Sequence, residues 1–214
     1  MKTRRLLVVI SASAAVVVAV AAWATVALVG RQGYVAPPMG ATFVYAEKNT
    51  GSFGDGSREA SYRIEPRTWE GKQVFAVVEP NGATIQSLVN GNTIAVLGAD
   101  GKPTVSLEPP IGFDYPLEVG RTVTRNIKVV HHARGTSLTV VYTFKVEGYE
   151  TLNVPAGTFK VFKLRTTSVA LDTVEWVSPE HGMQPVKRSN IRVQGAIRGV
   201  GTREAELISV STKK

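Results

Sequence analysis

The segment SLTVVYTFKVE, residues 137–147, decides the fold of this sequence. Its apolar side chains recur at every second position over eleven residues, and most positions between them are polar. A period of two is the pattern of a β-strand that turns one face to a core and the other to water. The core face predicted for this strand consists of Leu138, Val140, Tyr142, Phe144 and Val146.

The sequence before this strand predicts its hairpin partner. Residues 123–131 alternate in the same way, and Arg134-Gly135 lies between the two segments as a turn. Asn-Gly and Asp-Gly pairs, which accept the positive φ angles of tight hairpin turns, recur at nine- and ten-residue spacing. Evenly spaced turns of this kind predict further antiparallel hairpins at Asn81-Gly82, Asn90-Gly91 and Asp100-Gly101.

The rest of the chain extends this pattern, because β-branched residues are frequent and no helical stripe of ten residues follows residue 30. We therefore predict an all-β, mainly antiparallel fold, a single curved sheet or half-barrel of about 9–12 strands. Residues 157–167 change phase, which predicts a bulge or burial on both faces. The prolines of residues 109–116 predict a crossing without strand structure. Further strands are expected at residues 41–47, 60–65, 73–79, 83–89, 93–98, 158–168, 173–177, 190–197 and 202–210.

The first thirty residues differ in kind from the rest. Three basic residues precede residues 6–29, which carry no charge, and Ala22-Trp23-Ala24 offers a signal-peptidase site. This layout is typical of a secretory signal, but the 24 uncharged residues are also long enough to cross a bilayer as a hydrophobic helix. We predict a signal peptide or N-terminal membrane anchor in residues 1–30, a linker in 31–40 and a β-domain in 41–211.

Both alternatives for the N-terminus predict the same compartment. Lys2, Arg4 and Arg5 hold the start of the chain in the cytoplasm, so that residues 31–214 lie outside it. We expect these residues in the periplasm, either released or anchored in the inner membrane through residues 6–29. Export argues against nucleic acid as a partner.

Cysteine content and charge exclude some classes of function. The chain has no cysteine, which excludes a disulfide scaffold, a thiolate metal site and a cysteine nucleophile. Its net charge of +8 is uneven, because residues 121–214 hold 15 basic and 7 acidic side chains, whereas residues 25–120 hold 7 and 10. A basic surface patch would attract anionic lipid headgroups, glycan phosphates or an acidic partner. Such a patch requires a common face for Lys187, Arg188, Arg192, Arg198 and Arg203.

Three motifs, taken in order, resemble a known family. They are YPLEVG at residues 115–120, VPAGTF at 154–159 and WVSPEHGMQPVK at 176–187. They resemble elements of a family of uncharacterised exported bacterial β-domains, which is related to the carriers of outer-membrane lipoproteins. The resemblance implies a half-barrel around an apolar cavity for residues 41–211 and brings no catalytic residue with it. Val177 and residues 183–185 depart from the third motif.

Side chains with catalytic or metal-binding chemistry form no recognisable site in the sequence. His131 and His132 are neighbours on a predicted strand and point to opposite faces, and His181 lies in a later loop. The glycine-rich segment 51–56 lacks the spacing and the following helix of a phosphate loop, and we expect a mobile hairpin loop. We predict no enzyme, cofactor, catalytic residue or metal ligand. The carboxylates considered as a pair are Asp172, Glu175 and Glu180.

An open curved sheet needs something to cover its concave face. Because helix is scarce, we expect long loops or an apolar ligand in that place. We therefore predict non-enzymatic binding of an apolar or lipid-like ligand, such as a lipid or a lipoprotein acyl chain, in the cell envelope. The alternative is a structural or protein-interaction module whose basic C-terminal half contacts an anionic envelope partner. The sequence identifies no ligand-binding residue, since packing in a core explains Trp69, Trp176, Phe159 and Phe162 as well as a cavity does.

Overall fold

The strands close into a barrel. The computed structural model describes residues 31–196 and 199–212, and in this part of the chain twelve antiparallel strands form one closed ring. The ring strands follow one another in sequence as an up-and-down meander. They are β2 (Thr42–Gly51), β3 (Gly56–Trp69), β4 (Lys72–Glu79), β5 (Gly82–Ser87), β6 (Thr93–Gly98), β7 (Pro103–Ile111), β9 (Thr122–His131), β10 (Thr136–Val154), β11 (Gly157–Thr167), β12 (Leu171–Ser178), β13 (Gln184–Arg192) and β14 (Gly201–Ser211).

Closure of the ring corrects one prediction and confirms another. The all-β antiparallel class is confirmed, but the half-barrel is wrong, because β14 pairs with β2 from Gly201↔Gly51 to Ser211↔Thr42. Hydrophobic alternation marks which residues form strands, but it carries no signal for whether the first and last strands meet. Closure leaves this sheet without a free edge.

A second, smaller sheet lies beside the barrel, where β1 (Arg31–Gln32) pairs with β8 (Leu117–Glu118). The described residues contain two single-turn 3-10 helices, η1 (His132–Arg134) and η2 (Pro179–His181). None of the helices in this part of the chain is long and apolar enough to cross a membrane. The predicted N-terminal hydrophobic helix lies outside the described residues.

Most predicted strands are confirmed, with two exceptions that both involve proline. Strand β7 occupies residues predicted as a loop, and it keeps Pro109 and Pro110 at its end, past the residues that pair with β9. Strand β13 begins at Gln184 rather than near residue 190, and residues 193–200 form a loop. Pro185 sits in β13 opposite Val177, where the register with β12 is irregular, so that the missing N–H does not interrupt a regular ladder.

Of the two explanations offered for the phase change in residues 157–167, burial on both faces is confirmed, whereas the bulge lies in the partner strand β10 and not in β11. The register between β10 and β11 shifts between Val146 and Gly148, which leaves Glu147 unpaired. Val161 and Phe162 are adjacent in β11, and both are buried. Each therefore packs into a different apolar cluster, Val161 beside Phe43 and Phe162 beside Leu164.

The barrel has two ends, which its up-and-down order defines. The lower end carries residues 33–41 and the connections at 70–71, 88–92, 112–121, 155–156 and 179–183. The upper end carries the connections at 52–55, 80–81, 99–102, 132–135, 168–170 and 193–200. The predicted turns at Asn90-Gly91, Asp100-Gly101 and Arg134-Gly135 lie in these connections, whereas at Asn81-Gly82 the connection is formed by residues 80–81 and Gly82 begins β5.

Residues 33–40, predicted as a linker, pack against the lower end. Gly182 ends η2 with a φ of 65°, and a Cβ placed on it would lie 2.2 Å from the Cα of Pro37. Tyr34 approaches Gly91 in the same way, since a Cβ there would lie 2.7 Å from the Tyr34 ring. Only glycine at both positions permits this close approach.

We predict that Gly182→Ala destabilises the barrel more than Gly135→Ala. Both glycines end a 3-10 helix with similar φ values, 65° and 60°, but a Cβ at Gly135 would have no atom within 4 Å. Both variants should lose about 1–2 kcal/mol from backbone strain, and Gly182→Ala should lose more because Pro37 must move. Urea unfolding measures the difference, and equal losses would contradict the packing of residues 33–40.

Candidate ligand cavity inside the barrel

The interior of the barrel contains a cavity of ≈ 350 Å³. An eight-stranded barrel is filled by its own side chains or holds one small ligand, and the interior widens with strand number. Twelve strands therefore enclose more space than their inward side chains occupy. The inward residues of β2, β12 and β13 contribute Phe43, Tyr45, Glu47, Thr173, Glu175, Val177 and Arg188 to its lining.

Apolar and aromatic side chains line the cavity near the lower end. Tyr34 and Tyr115 meet edge to face with ring centroids 5.1 Å apart, and Phe113 meets Phe144 at 5.4 Å. All four line the cavity, as does buried Met183. These residues come from distant segments that the lower-end connections bring together.

The Tyr34 hydroxyl is a buried polar group without a hydrogen-bond partner among the described residues. Burial raises the pKa of Tyr34 to about 12, so the group is neutral and can donate. Leaving such a donor unsatisfied costs about 1–3 kcal/mol. A molecule in the cavity with an acceptor at this position would remove that cost.

A partly buried ion pair lines another part of the cavity wall. Glu175 in β12 and Arg188 in β13 are direct cross-strand neighbours, and Arg188 Nε donates to Glu175 Oε1 at 2.7 Å. Burial lowers the pKa of Arg188, but the charge and hydrogen bond of Glu175 together with Tyr45 and Tyr62 outweigh burial and raise the pKa above its ordinary value. The guanidinium is therefore charged inside the barrel.

A second charged cluster surrounds Glu47, whose side chain is only 1% exposed. The Tyr62 hydroxyl donates to Glu47 at 2.5 Å, Arg58 contacts it at 2.8 Å and Arg203 Nε lies 3.9 Å away. Burial alone would raise the pKa of Glu47, but Tyr62, Arg203 and Arg58 together hold it below its ordinary value. Glu47 is therefore ionised at neutral pH.

Two tyrosines pack between these charged groups. The Tyr45 and Tyr62 rings meet edge to face at 5.4 Å, and the Tyr45 hydroxyl donates to the Pro185 carbonyl at 2.7 Å. Burial raises the pKa of both phenols, so both are neutral donors over the usual pH range. The cavity wall thus combines fixed hydrogen-bond donors with ionised groups.

Phe53 packs against two arginines at the upper end. It lies in the glycine-rich loop 52–55, with the Arg192 guanidinium 3.7 Å and that of Arg203 4.8 Å from its ring centroid. Arg192 also donates to the Ser52 carbonyl at 3.1 Å. Sequence reasoning predicted a mobile loop here, whereas these contacts tie it to the barrel wall.

The described members of the basic set considered for a surface patch do not share one face of the barrel. Strand alternation sends Arg188 and Arg203 into the cavity and Lys187 to the opposite face of β13. Arg192 shares the inward face of β13 and packs on Phe53. Arg198 lies outside the described residues. Lys187 pairs with Glu206 at 2.7 Å on the outer face.

The sequence leaves open whether four aromatic residues line a cavity or pack in a core. None of Trp69, Trp176, Phe159 and Phe162 is among the described residues that line the cavity. Phe159 and Phe162 are buried in apolar clusters. Trp176 instead donates to Glu150 at 2.7 Å, with Lys163 and Lys187 over its ring. Alternation in β2, the first strand of the ring, identifies cavity residues better, because it places Glu47 on the same face as Phe43 and Tyr45.

The candidate catalytic and metal-binding residues lie apart. His132 contacts Ser106 at 2.8 Å, and His181 packs between Phe43 and Phe159, where burial lowers its pKa despite Glu180 nearby. Asp172 pairs with Arg165, whereas Glu175 faces the cavity. In residues 31–196 and 199–212 no three metal-ligating side chains cluster. The absence of catalysis and of a metal stays a prediction.

Comparison with known proteins was made for the whole chain. It matches no protein-family model and no curated protein. Its fold is similar to that of a candidate lipoprotein from Parabacteroides distasonis at 12% identity and a TM-score of 0.43, over 84% of this chain and 99% of that one. It is also similar to the hypothetical lipoprotein YmcC from Escherichia coli (14% identity, TM-score 0.43, 78% and 83% of the two chains).

A third similar structure is a candidate exported protein with a YmcC-like fold from Bacteroides fragilis. It has 13% identity and a TM-score of 0.42, over 84% of this chain and 100% of that one. All three neighbours are described as lipoproteins or exported proteins, the class that the sequence motifs resemble. TM-scores below 0.5 carry no argument about what this chain binds.

We predict that Glu47→Gln lowers the free energy of unfolding by about 3–5 kcal/mol at pH 7, because it removes the carboxylate from a buried charged cluster. The depressed pKa of Glu47 stabilises the fold above the ordinary value of 4.5, and this contribution is lost as the pH falls through the folded-state pKa. The difference between wild type and variant should therefore shrink at acidic pH.

Glu206→Gln is the matched control. Glu206 follows Ala205, the residue of β14 that pairs with Glu47 of β2, and its carboxylate forms a partly exposed ion pair with Lys187. The substitution should cost at most about 1 kcal/mol. Denaturant unfolding from pH 7 to pH 3 measures both variants. Equal, small losses at all pH values would contradict the buried cluster.

Proposed function

We propose that the barrel binds one small amphipathic molecule in its interior, in the cell envelope. The observation that carries this proposal is the cavity, whose wall is aromatic and aliphatic near Tyr34 and Phe113 and charged near Glu175 and Arg188. Ligand sites in proteins combine a mainly apolar wall with a few fixed polar groups. A wall with this division suits a molecule that has one apolar and one polar part.

The size of the cavity narrows the class of molecule. Its ≈ 350 Å³ lies at the lower end of the ~300–1,000 Å³ that is usual for ligand pockets. A cavity at this end of the range suits a small molecule better than a lipid with several acyl chains. We therefore favour a molecule with a single short chain over a lipid or lipoprotein anchor with several acyl chains.

Unsatisfied polar groups support an occupant with hydrogen-bonding capacity. The buried Tyr34 hydroxyl lacks a partner among the described residues, and it lines the cavity together with the side chains of Gln86 and Asn92. Buried polar groups in native proteins almost always have partners. A ligand with an acceptor near Tyr34, or an ordered water beside the ligand, would supply one.

The compartment and the absence of catalysis belong to the proposal. Export is supported by the basic start and the apolar residues 6–29. Binding without chemistry is supported by the pairing of Glu175 with Arg188 and of Glu47 with Arg58 and Arg203. The alternative role as an interaction module stays a prediction, and the inward direction of Arg188 and Arg203 removes two residues from its proposed surface.

The test is calorimetric titration of the full-length protein with decanoate, decyltrimethylammonium and hexadecanoate. The detergent concentration is kept low enough that micelles do not take up the added amphiphiles. We expect one site for a ten-carbon amphiphile and weaker binding of hexadecanoate, which exceeds the cavity. The ten-carbon amphiphile that binds more tightly shows whether the polar part of the ligand is anionic or cationic. No binding of either ten-carbon amphiphile would contradict the proposal.

Variants that fill the cavity locate the site. Ala205 lines the cavity and Ala46 lies on the outer face of the neighbouring strand, so Ala205→Phe should weaken binding by about tenfold or more, whereas Ala46→Phe should leave it unchanged. Thr84→Phe, at a half-buried wall position, is a second test should Ala205→Phe not fold. Equal affinity in wild type and Thr84→Phe would place the ligand elsewhere.

A further inference from the structure

We propose that the lower end of the barrel rests on a lipid bilayer, with residues 6–29 as the segment that enters it. This goes beyond ligand binding, since it states which end of the barrel faces the membrane. The partner is the bilayer surface itself. The argument rests on where the apolar segment joins the barrel, on the surface at that end and on the distance between the ends.

The apolar segment joins the barrel at its lower end. Residues 6–29 carry no charge, and only Gly30 separates Val29 from Arg31. Arg31 and Gln32 pair with Glu118 and Leu117, and Arg31 Nε lies 3.1 Å from Glu118 Oε1. Two residues span at most about 7 Å. A bilayer that holds residue 29 therefore lies within about 7 Å of Arg31 at the lower end.

Part of the surface at this end is apolar and uncharged, whereas the connections at 70–71, 112–121 and 179–183 carry charged side chains such as exposed Glu70 and Glu180. Residues 33–40 and 88–92 contain no charged side chain, and they touch each other where Tyr34 meets Gly91. Exposed aliphatic side chains project from these segments and from the connection after β8. They are Val35 (37% exposed), Met39 (41%), Val89 (83%) and Val119 (47%). Burial of such side chains at a membrane interface is favourable.

The upper end also has exposed valines, but no route to the membrane through residue 29. Val169 is 80% exposed and Val200 is 59% exposed there. Strands of about ten residues, tilted as in other barrels, hold the two ends roughly 25 Å apart. The lower-end position of Arg31, two residues after the apolar segment 6–29, therefore decides between two ends that exposure alone does not distinguish.

This orientation also determines which side of the cavity faces the bilayer. The rings of Tyr34, Phe113 and Tyr115 line the cavity near the lower end, so this end is the side of the cavity that would face the bilayer. An amphiphile drawn from the membrane would meet these rings first. The orientation itself does not require that such an amphiphile binds.

The experiment uses the lack of native cysteine, which makes any introduced cysteine the single labelling site. Val89→Cys and Val169→Cys are a matched pair, because the two valines are 83% and 80% exposed and lie at opposite ends. Each full-length variant is labelled with an environment-sensitive fluorophore. It is then reconstituted into phosphatidylethanolamine–phosphatidylglycerol vesicles that contain lipids with a nitroxide headgroup.

We expect the label at residue 89 to lose most of its emission to the nitroxide lipids and to shift to shorter wavelength. The label at residue 169, on the same side of the bilayer but roughly 25 Å farther out, should lose several-fold less. Equal quenching at both positions, quenching at 169 alone, or quenching at neither would overturn the proposal. Thermal unfolding of both labelled variants checks that they are folded.

The result is independent of the proposed ligand. A failure of decanoate to bind would leave the contrast between residues 89 and 169 unchanged, and a lack of contrast would leave the cavity titration unchanged. Val119→Cys adds a second lower-end position, which is 47% exposed and lies on a different connection. It should follow Val89→Cys, and a label there that behaves like residue 169 would contradict contact across the whole lower end.

Discussion

Pairing between β14 and β2 is the interaction on which the rest of the structure depends. It joins the last strand to the first ring strand from Gly201↔Gly51 to Ser211↔Thr42 and turns a meander into a closed ring. An open sheet of the same strands would expose its concave face and both edges. Once the ring is closed, twelve strands enclose more volume than their side chains fill. The interior cavity is thus a consequence of strand number and closure, not of any single residue.

The polar character of the interior follows from how its charges are satisfied. A charge away from water is tolerated when it is paired and hydrogen-bonded. Glu47 has Tyr62 and Arg58 as close partners, and Glu175 has Arg188. These pairs join neighbouring strands across the wall, so they contribute to the register of the barrel as well as to the lining of the cavity. The cavity is consequently less apolar than the half-barrel resemblance implied.

The class of the fold was predictable because alternation is a local property. The eleven-residue run at 137–147 and the Asn-Gly and Asp-Gly turns identify strands and hairpins without any tertiary information. Strands with proline were missed, because the sequence does not show that Pro109 lies past the residues of β7 that pair with β9 or that Pro185 lies at an irregularity. Closure was missed because it depends on contact between residues about 160 positions apart, for which one sequence carries no pattern.

The candidate site was less predictable than the fold. The sequence shows that the C-terminal half is basic, but it did not predict which of these side chains point into the barrel. The start of β13 was predicted six residues too late. A correct start would have placed Arg188 on the inward face by alternation alone. Tyr34 and Phe53 could not have been found in this way, since both lie in irregular segments whose packing against Gly91 and Arg192 is set by the tertiary fold.

The central claim is that the closed barrel holds one small amphipathic molecule. Native mass spectrometry of the full-length protein, purified from membranes in a mild detergent, tests this most directly. The account predicts a single non-covalent adduct of one short-chain amphiphile, released at higher collision energy to leave the mass of the bare chain. Only the bare chain at the lowest collision energy, in repeated preparations, would contradict it.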